Sequence, residues 1–140
     1  NNIKEFCGIQ KLNQNQISIN MVSFSIAAIC NLCLDEKNKD YLIKQDTINR
    51  LLKCLSVLIS SQSLQNVIEI VLNILTTLLF LFDSNTSSKI LNYSDQSINF
   101  STLLDQFAKS SNKRLSNLAI VFIDDYIRPT RNAVQSNLTC

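Results

Sequence analysis

The stretch SIAAICNL at Ser25–Leu32 has two counterparts further along the chain. The stretch ILTTLLFL begins 49 residues later, at Ile74–Leu81, and AIVFIDDY begins 45 residues after that, at Ala119–Tyr126. In and around all three, apolar residues recur every three or four positions, which is the spacing of one face of a helix. Helical solenoid proteins repeat with periods of roughly 40–47 residues. The three stretches therefore predict three copies of one helical unit.

The segments between these stretches follow a fixed order of a short, a medium and a long helix. After a polar turn at Asp35–Asn38 the predicted helices are Lys39–Lys44, Ile48–Ile59 and Leu64–Phe82, then Ser88–Leu91, Ile98–Ala108 and a long helix from about Asn112. Asp83 and Asn112 stand where helix-flanking or capping residues are expected. The recurrence of this order supports a repeated unit of three helices.

The chain, residues 1–140, fits one domain. With 46% apolar and 17% charged residues it has enough material for a hydrophobic core. One Gly and one Pro leave too few turn residues for an all-β or dinucleotide-binding chain. We predict an all-α, right-handed helical solenoid of about three repeats, at residues 1–35, 36–83 and 84–128. The first repeat is incomplete, and a short tail is expected at 129–140.

Charge and residue types exclude several classes of function. Thirteen basic against 11 acidic residues give a net charge of +2, which is too small for the basic footprint of sequence-independent nucleic-acid binding. The sequence has no His, which excludes Ser-His-Asp and Cys-His catalysis and His-ligated metals. The most hydrophobic run, Val67–Phe82, is too short to span a bilayer comfortably and carries Glu69 and Asn73. We expect this run to be a buried helix.

Cys30 and Cys33 form a Cys-x-x-Cys motif that begins within the first stretch. A zinc site needs about four ligands, and the sequence offers no second Cys pair and no His. A thioredoxin-like pair needs a helix N-terminus, whereas these residues fall in the last turn of a predicted helix. In the superposed stretches Cys33 corresponds to Phe82 and Ile127, which are both apolar. We interpret the two thiols as packing residues, and a thiol-dependent enzyme is the competing hypothesis.

The end of the first long helix resembles the armadillo consensus, whose third helix closes with an Ala-x-x-Leu-x-Asn-Leu-type motif. Here that motif is AICNL at Ala28–Leu32, and short, medium and long helices in this order are the armadillo arrangement. Three blocks closely resemble the small eukaryotic family of armadillo repeat-containing protein 7: FSIAAICNLCLDEKNKDYLIK at Phe24–Lys44, KCLS at Lys53–Ser56 and RLSNLAIVFIDDYIRPTR at Arg114–Arg131. Between Leu58 and Asn112 the similarity is weaker. At the start, Asn2–Leu12 resembles the first helix and the beginning of the second helix of an earlier repeat.

The resemblance implies a non-enzymatic scaffold that works in pre-mRNA splicing in the nucleus. The family is associated with the minor spliceosome, which removes U12-type introns. There it pairs with an RRM-containing RNA-binding protein near the 5′ end of U6atac RNA. The partner then does most of the RNA reading, and no cofactor, metal or small-molecule substrate is expected. The alternative is a generic armadillo adaptor with an unrelated nuclear or cytoplasmic partner.

Asn31 is the first candidate for partner binding. It stands where armadillo proteins of the importin type place a ladder of Asn side chains that hold a peptide backbone. The equivalent positions in this chain are Phe80 and Asp125, and the Trp positions of that system are Ala27, Thr76 and Val121. Recognition of nuclear localisation signals in that manner is therefore not expected. Two alternatives remain for Asn31, a bond to a partner's main chain or the capping of local backbone groups.

Lys113 and Arg114, with Asn117 close behind them, form the basic start of the last long helix. They are candidates for contact with RNA phosphate or with an acidic partner. Two basic residues are weak grounds for RNA binding, so a plain surface role is the competing interpretation.

Asp124 and Asp125 form a candidate acidic contact for a basic partner segment. Arg128 follows Asp124 by four residues, so the two can pair on the helix surface. The alternative is a solvated, self-neutralised face, which is the usual state of charge runs. We expect Arg128-Pro129-Thr130-Arg131 to terminate the last helix, because Pro129 disfavours helical geometry at Arg128.

Overall fold

A computed structural model describes residues 18–129, and its regular elements are helices. They are α1 (18–32), α2 (Glu36–Lys44), α3 (Thr47–Ser61), α4 (Leu64–Phe80), α5 (Ser87–Leu91), α6 (Phe100–Ala108) and α7 (Lys113–Phe122), which continues into a π-helical turn (Ile123–Ile127). Within the described residues the only β pairing is an isolated bridge between Ser94 and Asn99. The all-α prediction is confirmed for this part of the chain. The expected helices at Asn2–Leu12 and most of the tail lie outside the described residues.

Short polar side chains set where three of the helices begin. Each accepts a hydrogen bond from a backbone N–H of the first helical turn, which would otherwise lack a partner. The pairs are Asp35 with Lys37 N at 3.0 Å, Asn99 with Thr102 N at 3.1 Å and Asn112 with Leu115 N at 3.1 Å. Asn112 is thus the N-cap that the sequence predicts. The polar turn expected at Asp35–Asn38 is shorter than predicted, because the Asp35 cap starts α2 at Glu36.

The core lies between the medium and the long helices. The helix α3 packs against α4, α6 packs against α7, and the two pairs join through contact between α4 and α7. The short helices α2 and α5 pack against α3 and α6. The interior helix α4 buries Val67, Ile70, Val71, Leu72, Ile74, Leu75, Thr77 and Leu78. Each buried aliphatic side chain stabilises the fold by about 1.5–3 kcal/mol. The run Val67–Phe82 is therefore largely buried as predicted, with Glu69 and Phe80 exposed. Among residues 18–129 no helix has the length and apolar content to cross a membrane.

The turn after α4 is held by hydrogen bonds to two side chains. The buried Thr86 hydroxyl donates to the Leu81 carbonyl at 2.7 Å and accepts from Asp83 N at 2.9 Å. The Asp83 carboxylate in turn accepts from Asn85 N at 2.7 Å and Thr86 N at 2.9 Å. These bonds satisfy backbone groups that a reversing chain would leave unpaired. Asp83 therefore flanks α4 as expected, but it orders a turn and does not cap α5.

A second ordered turn joins α5 to α6 around Asp95. Its carboxylate accepts from the Tyr93 hydroxyl at 2.7 Å and from Ser97 N and Ile98 N at 2.8 and 2.9 Å. Four hydrogen bonds hold the pKa of Asp95 well below its ordinary value. The bond from Tyr93 has the largest effect, followed by one from Ser56 and the two from backbone N–H groups. Partial burial, followed by the hydrogen bond that Tyr93 donates to Asp95, raises the pKa of Tyr93 to about 12.

Aromatic rings join the end of α4 to α6 and α7. The Phe122 ring is fully buried and lies edge-on to Phe82 and Phe100, with centroid distances of 5.8 and 5.5 Å. Tyr126 extends the cluster, with its ring centroid 4.4 Å from that of Phe82. Edge-to-face pairs at these separations are favourable arrangements of aromatic side chains.

The expectation that Pro129 disfavours helical geometry at Arg128 is wrong, because Arg128 has helical angles, φ −60° and ψ −47°, and Pro129 is also helical. Residues 130 and 131, where the helix was also expected to terminate, lie outside the described residues. In an α-helix the proline ring would collide with the carbonyl of Asp125. The π-helical turn Ile123–Ile127 ends two residues before Pro129, and its wider winding changes that spacing.

Candidate functional site

The basic start of α7 is paired with an acidic side chain of α4. Arg114 binds Glu69 through two bonds, Nη1 to Oε1 at 2.7 Å and Nη2 to Oε2 at 3.4 Å. The two residues are 45 positions apart, the period of the repeat, so they occupy equivalent positions in neighbouring long helices. Both side chains are exposed, and exposed pairs contribute only about 0–1 kcal/mol. Arg114 therefore has a carboxylate partner within the chain, in a pair that adds little stability.

Further exposed side chains follow Arg114 along α7 and the π-helical turn. Asn117 is exposed near the start of α7, and Val121 and Asp125 are exposed further along. On α4, Phe80 is exposed at the position that corresponds to Asp125. The structure therefore places Asn117 and Asp125 near the exposed apolar side chains of Val121 and Phe80. The sequence pattern did not indicate that these two apolar residues are exposed.

Asp124 and Arg128 lie at the edge of a cleft between α6 and α7. Arg128 Nη1 is 3.2 Å from Asp124 Oδ1, so the pair predicted from their spacing is present. The cleft has a volume of about 510 Å³ and is lined by Asp105, Ala108, Lys109, Ile120, Ile123, Asp124 and Arg128. We call it the α6–α7 cleft. It brings two predicted residues together with five that sequence reasoning missed.

The α6–α7 cleft combines apolar surface with charges of both signs. Ile120 is 41% exposed, although the residues at its equivalent positions, Ile26 and Leu75, are 6% and 0% exposed. Two acidic and two basic side chains lie around it. A phosphate would meet the acidic groups as well as the basic ones, whereas a protein segment can match both signs. This composition favours a protein ligand.

Two neighbouring cavities are uncharged. They have volumes of about 460 and 430 Å³ and share Leu64, Ser110 and Ser111. Gln and Ser side chains provide most of their polar lining. Without charged groups they offer less electrostatic complementarity to a partner than the α6–α7 cleft.

Asn31 is exposed near the C-terminal end of α1. The end of this helix is capped by another residue, because Asn38 Nδ2 donates to the Leu32 carbonyl at 3.0 Å. Within residues 18–129 no hydrogen bond of the Asn31 side chain is present. The two alternatives for Asn31 stay predictions.

Cys33 lies in the core of this structure, and Cys54 packs against it. Cys33 is buried, and Cys30 and Cys54 are half-buried free thiols. Burial, followed by the nearby Cys30, raises the pKa of Cys33, and burial also raises the pKa of Cys54. A nucleophilic or metal-binding Cys must be a thiolate, which the surroundings of Cys33 and Cys54 disfavour. In the described part of the chain no three His, Cys, Asp or Glu residues are grouped so as to hold a metal ion.

Comparison of the chain with models of known protein families, with characterised proteins and with solved structures finds no significant match in any of the three.

Proposed function

We propose that this chain is an armadillo-type, right-handed solenoid that serves as a non-enzymatic protein-binding scaffold. The order of helices supports this proposal, because α2, α3 and α4 recur in type and order as α5, α6 and α7. The packing recurs as well, since the medium helix contacts the long one in each unit. The armadillo-like motif at Ala28–Leu32 lies at the end of α1, as the third helix of a repeat would have it.

The cellular role that we propose is in the minor spliceosome, in the nucleus. It rests on the similarity of Phe24–Lys44 and Arg114–Arg131 to the family of armadillo repeat-containing protein 7. The partner would be an RRM-containing RNA-binding protein near the 5′ end of U6atac RNA. The Glu69–Arg114 pair and the net charge of +2 are consistent with RNA contact made mainly by that partner.

The α6–α7 cleft is the observation that carries the binding function. An apolar side chain of the partner would seat against Ile120, and its flanking charges would face Asp124 and Arg128. Shape and apolar contact supply the affinity of such a site, and the mixed charges select the partner and its orientation.

Co-purification tests both the role and the site. A tagged full-length chain should recover an RRM protein together with minor-spliceosome RNA. Ile120→Glu buries an unpaired charge in the interface and should lower this recovery at least about tenfold, which corresponds to about 1.4 kcal/mol. Val57→Glu, at a 55% exposed position of α3, is the matched control and should recover as much as the parent.

The outcomes separate the role from the site. Recovery of cytoskeletal or trafficking proteins would refute the splicing role and favour a generic armadillo adaptor. Undiminished recovery by a folded Ile120→Glu variant would refute the α6–α7 cleft as the binding site.

A further inference from the structure

Each of the two walls of the α6–α7 cleft carries an acidic and a basic residue four positions apart. On the wall formed by α7 and its π-helical turn, Arg128 Nη1 lies 3.2 Å from Asp124 Oδ1, so these two charges face each other. On the α6 wall, Asp105 and Lys109 are both exposed. Within residues 18–129 neither of these two side chains has an ion-pair or hydrogen-bond partner. The charges of the α6 wall are therefore free to meet those of a partner.

The packing of α6 on α7 sets the order of the groups along the cleft. The two helices are joined by a short connection, so they run in opposite directions. The Ser116 hydroxyl donates to the Ala108 carbonyl at 2.7 Å, which places the end of α6 beside the first turns of α7. One turn further from the connection, Asp105 reaches the level of Ile120, whereas Lys109 caps α6 at the connection itself. The apolar surface, the free carboxylate and the free ammonium group follow one another along the cleft in that order.

A helix is the form of ligand that matches this wall. Side chains four positions apart on a helix face the same way and lie about 6 Å apart along its axis. Asp105 and Lys109 have this spacing on α6, so a second helix in the cleft can bring one charge opposite each of them. Apolar grooves between helices bind amphipathic helices through anchors one turn apart. A nucleic-acid backbone, which is negative throughout, would be repelled by the carboxylates.

We propose that the α6–α7 cleft takes a helical segment of the protein partner in which an apolar anchor, a basic residue and an acidic residue follow at one-turn intervals. The anchor seats against Ile120, the basic residue faces Asp105 and the acidic residue faces Lys109. This order does not depend on the direction of the bound helix, because the basic residue lies between the other two either way. The inference rests on the proposed binding site but not on the splicing role.

Two synthetic peptides test this order by NMR titration of the ¹⁵N-labelled full-length chain. The matched peptide carries Leu, Lys and Glu at four-residue intervals on an alanine-rich helix, and the reference peptide carries Leu, Glu and Lys. The matched peptide should bind at least about threefold more tightly, because the reference peptide places like charges opposite Asp105 and Lys109. The difference should shrink in about 0.5 M salt, since exposed charges are screened. Circular dichroism of the free peptides controls for unequal helicity.

Exchange of the two charges of the α6 wall makes the test specific. Asp105→Lys combined with Lys109→Asp keeps the net charge and should invert the preference, so that the reference peptide binds more tightly. Asp40→Lys combined with Lys44→Asp, at an exposed pair of the same spacing on α2, is the matched control and should leave the preference unchanged. Asp105→Asn, which keeps the shape of the side chain, should reduce the preference without inverting it and replaces the exchanged variant should that fail to fold.

The outcomes separate this inference from the proposed site. Equal affinity of the two peptides, no shift of cleft signals with either peptide, or a preference that survives the exchange would refute the proposed order of charges. If one of these results accompanies a loss of co-purification by Ile120→Glu, the binding site stands and only its proposed occupant fails. If Ile120→Glu leaves co-purification unchanged, the site fails and this inference fails with it.

Discussion

Replacement of Phe122 by alanine should remove a large part of the stability of the fold. The Phe122 ring is fully buried, and Phe82 and Phe100 lie edge-on to it at centroid distances of 5.8 and 5.5 Å. Truncation of a buried Phe to Ala costs about 3–5 kcal/mol. Aromatic pairs add about 0.5–1.5 kcal/mol beyond area burial, so Phe122 should not fall at the lower end of that range. We expect a loss of about 4 kcal/mol from a total of roughly 5–15 kcal/mol.

The loss can be measured by circular dichroism, either as a change in the free energy of unfolding in urea or as a change in Tm. An unfolding entropy of about 2.1 cal/mol/K per residue gives about 0.24 kcal/mol/K for residues 18–129, so 4 kcal/mol corresponds to about 17 °C in Tm. Tyr41→Ala, at a 63% exposed aromatic position of α2, is the control and should shift Tm by less than about 2 °C. Phe122→Leu keeps most of the volume and should lose about 1–1.5 kcal/mol. A loss below about 2 kcal/mol for Phe122→Ala would refute the packing of α4, α6 and α7 around this ring.

Three further predictions concern single side chains. Asn112→Ala removes the cap of α7 and should cost about 1 kcal/mol in chemical unfolding, whereas Asn112→Ser should retain most of it; equal losses would contradict the capping role. The pKa of Asp95 is lower in the folded chain, so its stabilising contribution is present above about pH 4 and is lost as the pH falls through the folded value. Asp95→Asn should therefore lose less stability than the parent between pH 4 and pH 2, and parallel pH curves would exclude the effect. Cys33 should react with iodoacetamide at pH 8 at least about tenfold more slowly in the folded than in the urea-unfolded chain, because burial limits access and raises its pKa; equal rates would show that the thiol is open.

Much of the helix order could be predicted because helical periodicity is local. The spacing of apolar residues located α3, α4, α6 and α7, and Asn112 could be recognised as a cap from its position. The start of α2 was misjudged because a run of polar residues at Asp35–Asn38 serves equally as a turn or as a capped first turn. The conformation of Arg128 was misjudged because the preference against helix before Pro129 is modest, and the preceding π-helical turn is not visible in the sequence.

The candidate site was harder to predict because its parts come from different helices. The pair of Asp124 and Arg128 follows from a spacing of four on one helix. Asp105 and Lys109 reach the same cleft only through the packing of α6 on α7, which periodicity does not specify. The Glu69–Arg114 pair could have been found, since the superposed repeats place opposite charges at equivalent positions. The exposure of Ile120 depends on what lies beyond α7 in space, which no local pattern encodes.

The burial of α4 between α3 and α7 also determines how the molecule opens. A helix covered from two sides releases its backbone amides to solvent only when both neighbours have separated from it. Its amide hydrogens should therefore exchange most slowly, close to the rate of global unfolding, whereas those of α2 exchange through smaller, local openings. A partner that pulls on α7 would then transmit the load through the helix that opens last, and the outer helices could rearrange without loss of the central one.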